Sequence, residues 1–264
     1  MELKQARILL TGATGGLGQA LALALAEQGA SLLLAGRDLA KLAELNDRIG
    51  DIGGTGCVAK SIAADLNQSQ GIESVAAAAR DFDVNVLINN AGINAFGLYE
   101  RQDWMAIQQV IATNLLAPMQ LTHALLPWLK SCERAAILNI GSTFGSLPFP
   151  GFTAYSSAKA GLRGFSQGLR RELADSHIEV VHVAPRAIAT ALNSDAVNAL
   201  NKELGSHSDT PEAVARQIVA ALRAGAKERH FGFPERLFAW LNGVVPALID
   251  QALKPKLAIV KRHA

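Results

Sequence analysis

A chain of 264 residues, half of them hydrophobic and 18% charged, has the length and apolar content for one large domain with a sizeable core. Lys and Arg number 25 against 23 Asp and Glu, and a net charge of +2 gives no argument for a nucleic-acid surface. There is no leader of basic then apolar residues, no apolar run of membrane-spanning length, and only the isolated cysteines Cys57 and Cys132, so a soluble cytoplasmic protein with small, reduced core cysteines is expected.

Short apolar runs alternate with longer helical patterns along the chain. The strand candidates are RILL (7–10), SLLLA (31–35), GCVAKSI (56–62), VNVLIN (84–89), AAILNI (135–140) and EVVHV (179–183). Near-continuous apolarity marks strands buried on both faces, as in a parallel sheet. Residues 18–28, 38–49 and 69–82 carry Ala- and Leu-rich helical patterns between them. Repeated β-α-β order predicts an α/β fold, a doubly wound parallel β-sheet with helices on both faces. Residues 186–210 make a polar excursion after the sixth strand, where a mobile lid would sit. Pro211 then opens a helix, and a last short strand is expected around His230 to Phe233. Residues 1–233 form the predicted domain and 234–264 a C-terminal extension.

Local patterns carry the chemistry. TGATGGLG, residues 11–18, joins the first strand to the first helix. Glycines at 12, 16 and 18 permit a tight turn, and the helix N-terminus offers N–H groups to a pyrophosphate. The stretch lacks the Gly-Lys-Ser/Thr ending of a triphosphate-binding loop. After the second strand stand Gly36 and Arg37, and an arginine there suits the 2′-phosphate of NADP; Asp38, one position later, leaves NAD open. The plainer alternative makes Arg37 a solvated loop residue and Asp38 a helix cap. In YSSAK, Tyr155 and Lys159 are four residues apart, on one helix face: either an exposed surface or a phenolic acid beside a cation.

Taken in order, TGATGGLG, NNAG (89–92), Asn114 in ATNLL, Ser142 in NIGS and YSSAK resemble the short-chain dehydrogenases/reductases over about residues 5–233. The resemblance implies a single-domain Rossmann fold and a catalytic group of Asn114, Ser142, Tyr155 and Lys159. Tyr155 would be the acid in reduction and the base in oxidation, its pKa lowered by Lys159 and by the charge of the oxidised nicotinamide, with Lys159 also holding the nicotinamide ribose. Ser142 would bond the substrate oxygen and Asn114 support a water-linked proton relay. The implied cofactor contacts are Gly12, Thr14, Gly15, Gly16, Leu17, Gly18, Arg37, Asp65, Leu66, Asn90, Ala91, Gly92, Tyr155, Lys159, Pro185, Ile188 and Thr190. Asp65, a possible adenine contact, reads equally as a helix cap.

The expected activity is NADP(H)-dependent interconversion of a carbonyl and a secondary alcohol. An NAD-preferring hydroxysteroid-like or secondary-alcohol dehydrogenase is the alternative within the family, and a non-catalytic dinucleotide sensor the alternative outside it. Phe96, Phe144, Phe149 and Phe152 fall in loops beside the motifs, as pocket walls or as packing; as pocket walls they lead us to expect an acyl, aromatic or terpenoid ketone, 3-oxoacyl thioesters included. The six histidines show no ligand spacing, and no metal is expected. Family members commonly pair the helices holding Asn114 and Tyr155, which implies a homodimer or homotetramer. Apolar and basic residues in 234–264 fit packing over the pocket, contact with another subunit, or a peripheral membrane contact. Arg186 occupies the place of a family glycine, either solvated or reading an anionic substrate.

Overall fold

Alternation hidden inside the apolar runs builds two cores, one on each side of a sheet. In β1 (Arg7–Thr11), Ile8 and Leu10 join one core and Leu9 the other. β2 (Ser31–Gly36), β4 (Val86–Asn89), β5 (Ala135–Ile140) and β6 (Ile178–Ala184) repeat the pattern. Leu32, Ile88, Leu138 and Val183 lie in the first core; Leu33, Leu87, Ile137 and Val180 lie in the second. A strand with partners on both faces needs apolar residues at every position, which is why these runs show no polar alternation.

The computed structural model describes residues 1–52 and 57–264. With β3 (Ala59–Ala63) and β7 (Glu228–His230), the sheet has seven strands, all parallel, in the order β3-β2-β1-β4-β5-β6-β7. α1 (Gly16–Ala26) and α2 (Leu39–Ile52) cover one face through Leu21, Leu25, Leu42 and Leu45. α3 (Ser69–Asp81) covers the other through Val75. α4 (Trp104–Ile111) runs through a single π-helical turn, Ala112–Leu116, into α5 (Ala117–Leu129). α5 and α6 (Thr153–Glu172) join α3 on its face, and α7 (Asp195–Glu203) lies in the segment after β6. α8 (Pro211–Arg223) packs beside α1. This is a doubly wound Rossmann fold. The strand order reverses between β1 and β4, opening a crevice at their C-terminal ends.

The polar excursion is not structureless. Ser194 caps α7 by accepting from the Val197 amide, and the two ends of the segment are joined by a bridge between Ile188 and Asp209. Beyond β7 come α9 (Glu235–Val244), α10 (Pro246–Leu253) and α11 (Lys256–His263). Among the described residues no helix is long and apolar enough to cross a membrane.

Two strand boundaries and the cysteines differ from expectation. β3 starts at Ala59, after Cys57 and Val58, and the expected Gly56 lies outside the described residues. β7 lies at 228–230 rather than 230–233, because pairing with β6 ends at His230 and Gly232 turns at a φ of +90°. Cys57 and Cys132 are only half-buried at the margins of the two cores, where each thiol donates to a carbonyl.

Candidate active site

The crevice is closed at its base by a latch between the β1 and β4 ends. The Thr11 hydroxyl accepts the Asn90 and Ala91 amides at 3.0 Å each, and the Asn90 side chain donates to the Thr11 and Gly12 carbonyls. Gly12 has φ +63°, and a Cβ there would lie 2.7 Å from the Ala91 Cα, so the chain tolerates only glycine. Gly15 caps α1 without a side chain, and Gly15 and Gly16 face solvent. The N–H groups of the first turn of α1 therefore face the crevice uncovered, as an anion site requires. Leu17 packs on the core, Gly18 is buried, and the Thr14 carbonyl accepts from the Gln19 side chain.

Thr190 stands across the crevice, its Cγ2 3.0 Å from where a Gly16 Cβ would be. Ile188 orders this loop, its carbonyl accepting from the Thr190 amide and the Asn193 side chain. The buried Pro185 carbonyl accepts both the amide and the hydroxyl of Thr143, tying β6 to the loop after β5. At the far end, Arg37 is exposed, while Asp38 accepts the Lys41 amide at 3.1 Å and pairs with its ammonium. Asp38 thus caps α2, and those bonds hold its carboxyl below the ordinary carboxylate range. Asp65 is exposed and accepts the Asn67 amide in a local turn, with Leu66 half-buried beside it.

Two further candidates, Asn114 and Lys159, meet at Gly92. A Cβ at Gly92 would lie 2.7 Å from the Asn114 Oδ1 and 3.7 Å from the Lys159 Nζ. Asn114 is fully buried in the π-helical turn and grips Ile93 with both ends, donating to its carbonyl at 2.8 Å and accepting its amide at 3.1 Å. Lys159, 5% exposed, donates to the Ile140 carbonyl at 2.9 Å and lies 5.8 Å from the centre of the Tyr155 ring. Burial lowers its pKa to about 8. The expected depression of the Tyr155 pKa rests on this ammonium together with the positive charge of a bound oxidised nicotinamide. In the chain alone desolvation raises the phenol's pKa, with a hydrogen bond from Ser142 pulling it partly back. Ser142 caps a 3₁₀ turn, Thr143–Gly145, by accepting the Phe144 amide. The arrangement sets a protonated phenol beside a hydroxyl, a cation and a buried amide, the parts of a proton-transfer site.

Sequence reasoning missed Thr11 as the latch, although it ends the first strand inside the quoted motif. The four phenylalanines placed beside the motifs do gather around the phenol, and what the sequence did not show is which residues of α7 and α11 join them. Phe96, Phe144, Phe149 and Phe152 pack together with centroids 5.0–6.4 Å apart, Phe144 and Phe149 stacked and the other pairs tilted, and Tyr155 packs against the same cluster. α7 contributes Val197 and Leu200, and α11 contributes the fully buried Val260. Glu203 of α7 pairs with Arg262 and His263 of α11. Arg186 is not a free surface cation. Its guanidinium makes a two-pronged pair with Asp209, at 2.7 and 2.8 Å, and reaches Glu235 of α9 at 3.7 Å.

Residues 6–201 match the model of the family described as short chain dehydrogenase. The chain is 32% identical to ketoacyl reductase HetN of Nostoc sp. over 219 residues, 82% of this chain and 75% of that protein. It is 33% identical to the 3-oxoacyl-[acyl-carrier-protein] reductase FabG of Vibrio cholerae over 205 residues, 77% of this chain and 80% of that one. Among solved structures, a short-chain dehydrogenase from Sphingobium yanoikuyae in complex with NADPH superposes with a TM-score of 0.76. It is 28% identical and covers 93% of this chain and 95% of its own.

Proposed function

The chain belongs to the short-chain dehydrogenases, oxidoreductases on an NAD(P)-binding fold, and from that premise we propose an NADP(H)-dependent reductase of hydrophobic ketones. The observation that carries the reading is the meeting of Asn114 and Lys159 at Gly92, just after β4, with Tyr155 beside Lys159 and Ser142 beside Tyr155. The dinucleotide fits the chain's own groups: the bare first turn of α1 for the pyrophosphate, Thr190 opposite it, and exposed Arg37 for a 2′-phosphate. Asp38 favours NADP over NAD, because its carboxylate is already engaged as a cap.

A bound nicotinamide supplies the hydride. The protein's part is to hold the substrate oxygen between Ser142 and Tyr155 and to move the proton. The Tyr155 phenol, whose ordinary pKa is roughly 10, is protonated at neutral pH, the form that reduction consumes. Lys159 holds a positive charge behind the phenol, and Asn114 keeps the Ile93 loop in place beside it. The aromatic cluster against Tyr155 selects an apolar substrate, and the reductase names of the Nostoc and Vibrio relatives favour a 3-oxoacyl thioester. Exposed Trp104 and Met105 on α4, Leu116 in the π-helical turn and Met119 on α5 support pairing of two copies there. The test is NADPH oxidation with a panel of ketones and 3-oxoacyl thioesters. Tyr155→Phe should lower kcat by at least about a hundredfold with cofactor binding intact; undiminished turnover would overturn the reading.

A further inference from the structure

An ordinary surface helix buries its apolar stripe and shows a polar face to water. α9 does the reverse. Positions 235, 239 and 242 lie on one face and turn toward the domain. There Glu235 reaches Arg186, Ala239 is 9% exposed, and the Asn242 amide donates to the Ser146 carbonyl at 3.0 Å. About half a turn away, at the i, i+3, i+7 spacing, stand Leu237, Trp240 and Val244. These are 42%, 62% and 60% exposed. Phe233 before the helix, and Val245 and Leu248 where α10 begins, extend the same exposed apolar set. Among the described residues these side chains stay open to water, which is unfavourable by roughly 25 cal/mol for each Å² of apolar surface.

Charge identifies the occupant. Residues 234–264 carry five Lys and Arg against two Asp and Glu, whereas the rest of the chain carries 20 against 21. Arg236, Lys254, Lys256 and Lys261 are exposed and enter no ion pair among the described residues. A second copy docked by this face would bring two basic surfaces together. An anionic bilayer offers both apolar depth and opposite charge, and Trp240 is of the type that settles at its interface.

We propose that the outward face of α9 and the start of α10 dock this protein on an anionic lipid surface. The helix lies in the interface, with Leu237, Trp240 and Val244 in the acyl boundary and the basic residues among the headgroups. Because Asn242 binds the catalytic 3₁₀ loop from the opposite side of α9, docking sets the aromatic cluster close to the bilayer.

The experiment is co-sedimentation of the full chain with vesicles of phosphatidylcholine alone, or of phosphatidylcholine and phosphatidylserine in equal parts. The expected result is binding to the anionic vesicles, weakened by salt, with little binding to the neutral ones. Trp240→Glu should weaken it by about tenfold or more. Lys254→Glu with Lys256→Glu should remove the preference for phosphatidylserine, each cation counting for roughly fivefold. Melting temperatures establish that the variants fold, and Leu248→Ser on α10 serves if Trp240→Glu does not. Wild type in the supernatant with both vesicles overturns the proposal, as does equal binding to both. A Trp240→Glu variant that loses mass by light scattering yet still binds vesicles assigns the face to a second copy instead.

Discussion

Replacing Lys159 with Met should make this protein more stable while stopping its chemistry. The Lys159 ammonium is buried with one hydrogen bond, to the Ile140 carbonyl, and its pKa falls from 10.5 to about 8. That displacement corresponds to roughly 3 kcal/mol of lost solvation carried by the folded state at neutral pH. Met has a similar length and no charge, so it removes the penalty, but it leaves the Ile140 carbonyl without its donor, a loss of about 1–2 kcal/mol. The net gain is about 1–2 kcal/mol, or roughly 2–6 °C in melting temperature for a domain of this size. The pH dependence identifies the cause. The folded pKa lies below the unfolded one, so the wild-type penalty is complete below about pH 8 and fades as pH rises toward 10.5. Thermal melts of both proteins at pH 7 and pH 10, with NADPH turnover measured alongside, test it. A variant less stable than wild type at pH 7, or a gap that does not narrow at pH 10, would refute the argument.

Arg37→Ala should weaken NADPH by about tenfold and leave NADH unchanged, read from fluorescence titration of each cofactor, since one charge-assisted bond to phosphate is lost; equal loss for both cofactors counts against Arg37 as the phosphate contact. Arg186→Met and Asp209→Asn should each loosen the joined ends of the 186–210 segment, and the double variant should cost little more than either single one, because both remove the same two-pronged pair. Their kinetic effect should be equal for neutral and anionic ketones, and selective loss of the anionic substrate would show that Arg186 meets substrate after all.

The sheet was legible because its strands are buried on both faces, which writes Leu9, Leu33, Leu87 and Ile137 into the sequence as unbroken apolar runs. β7 was placed too late because Glu228, Arg229 and His230 carry no such run, being an edge strand with only β6 beside it. The glycine turn and the spacing of Tyr155 and Lys159 are local and could be read directly. Partnerships across the chain could not. Arg186 finds Asp209 23 positions on, only because a bridge at Ile188 returns the segment to its start. Val260 meets the phenylalanines from the far end of the chain, and hydropathy says that it will be buried but not against what. At Tyr155 the neighbouring cation is visible in sequence, whereas the desolvation that opposes it in the chain alone is not.

The π-helical turn at Ala112–Leu116 has a consequence for how this segment can vary. One additional residue in a helix advances its phase by about 100°. That advance lets Ile107 and Val110 of α4 meet Ala154 and Ala158 of α6, while Leu121, Leu125 and Leu129 of α5 still meet the sheet. Removing any single residue between 111 and 117 would leave a regular, well-bonded helix. It would also swing one of those two stripes, and Asn114 with it, off its partners. Side chains here can be exchanged one for another at modest cost, whereas the count of residues cannot change. Length, more than composition, is what selection must hold constant in this stretch.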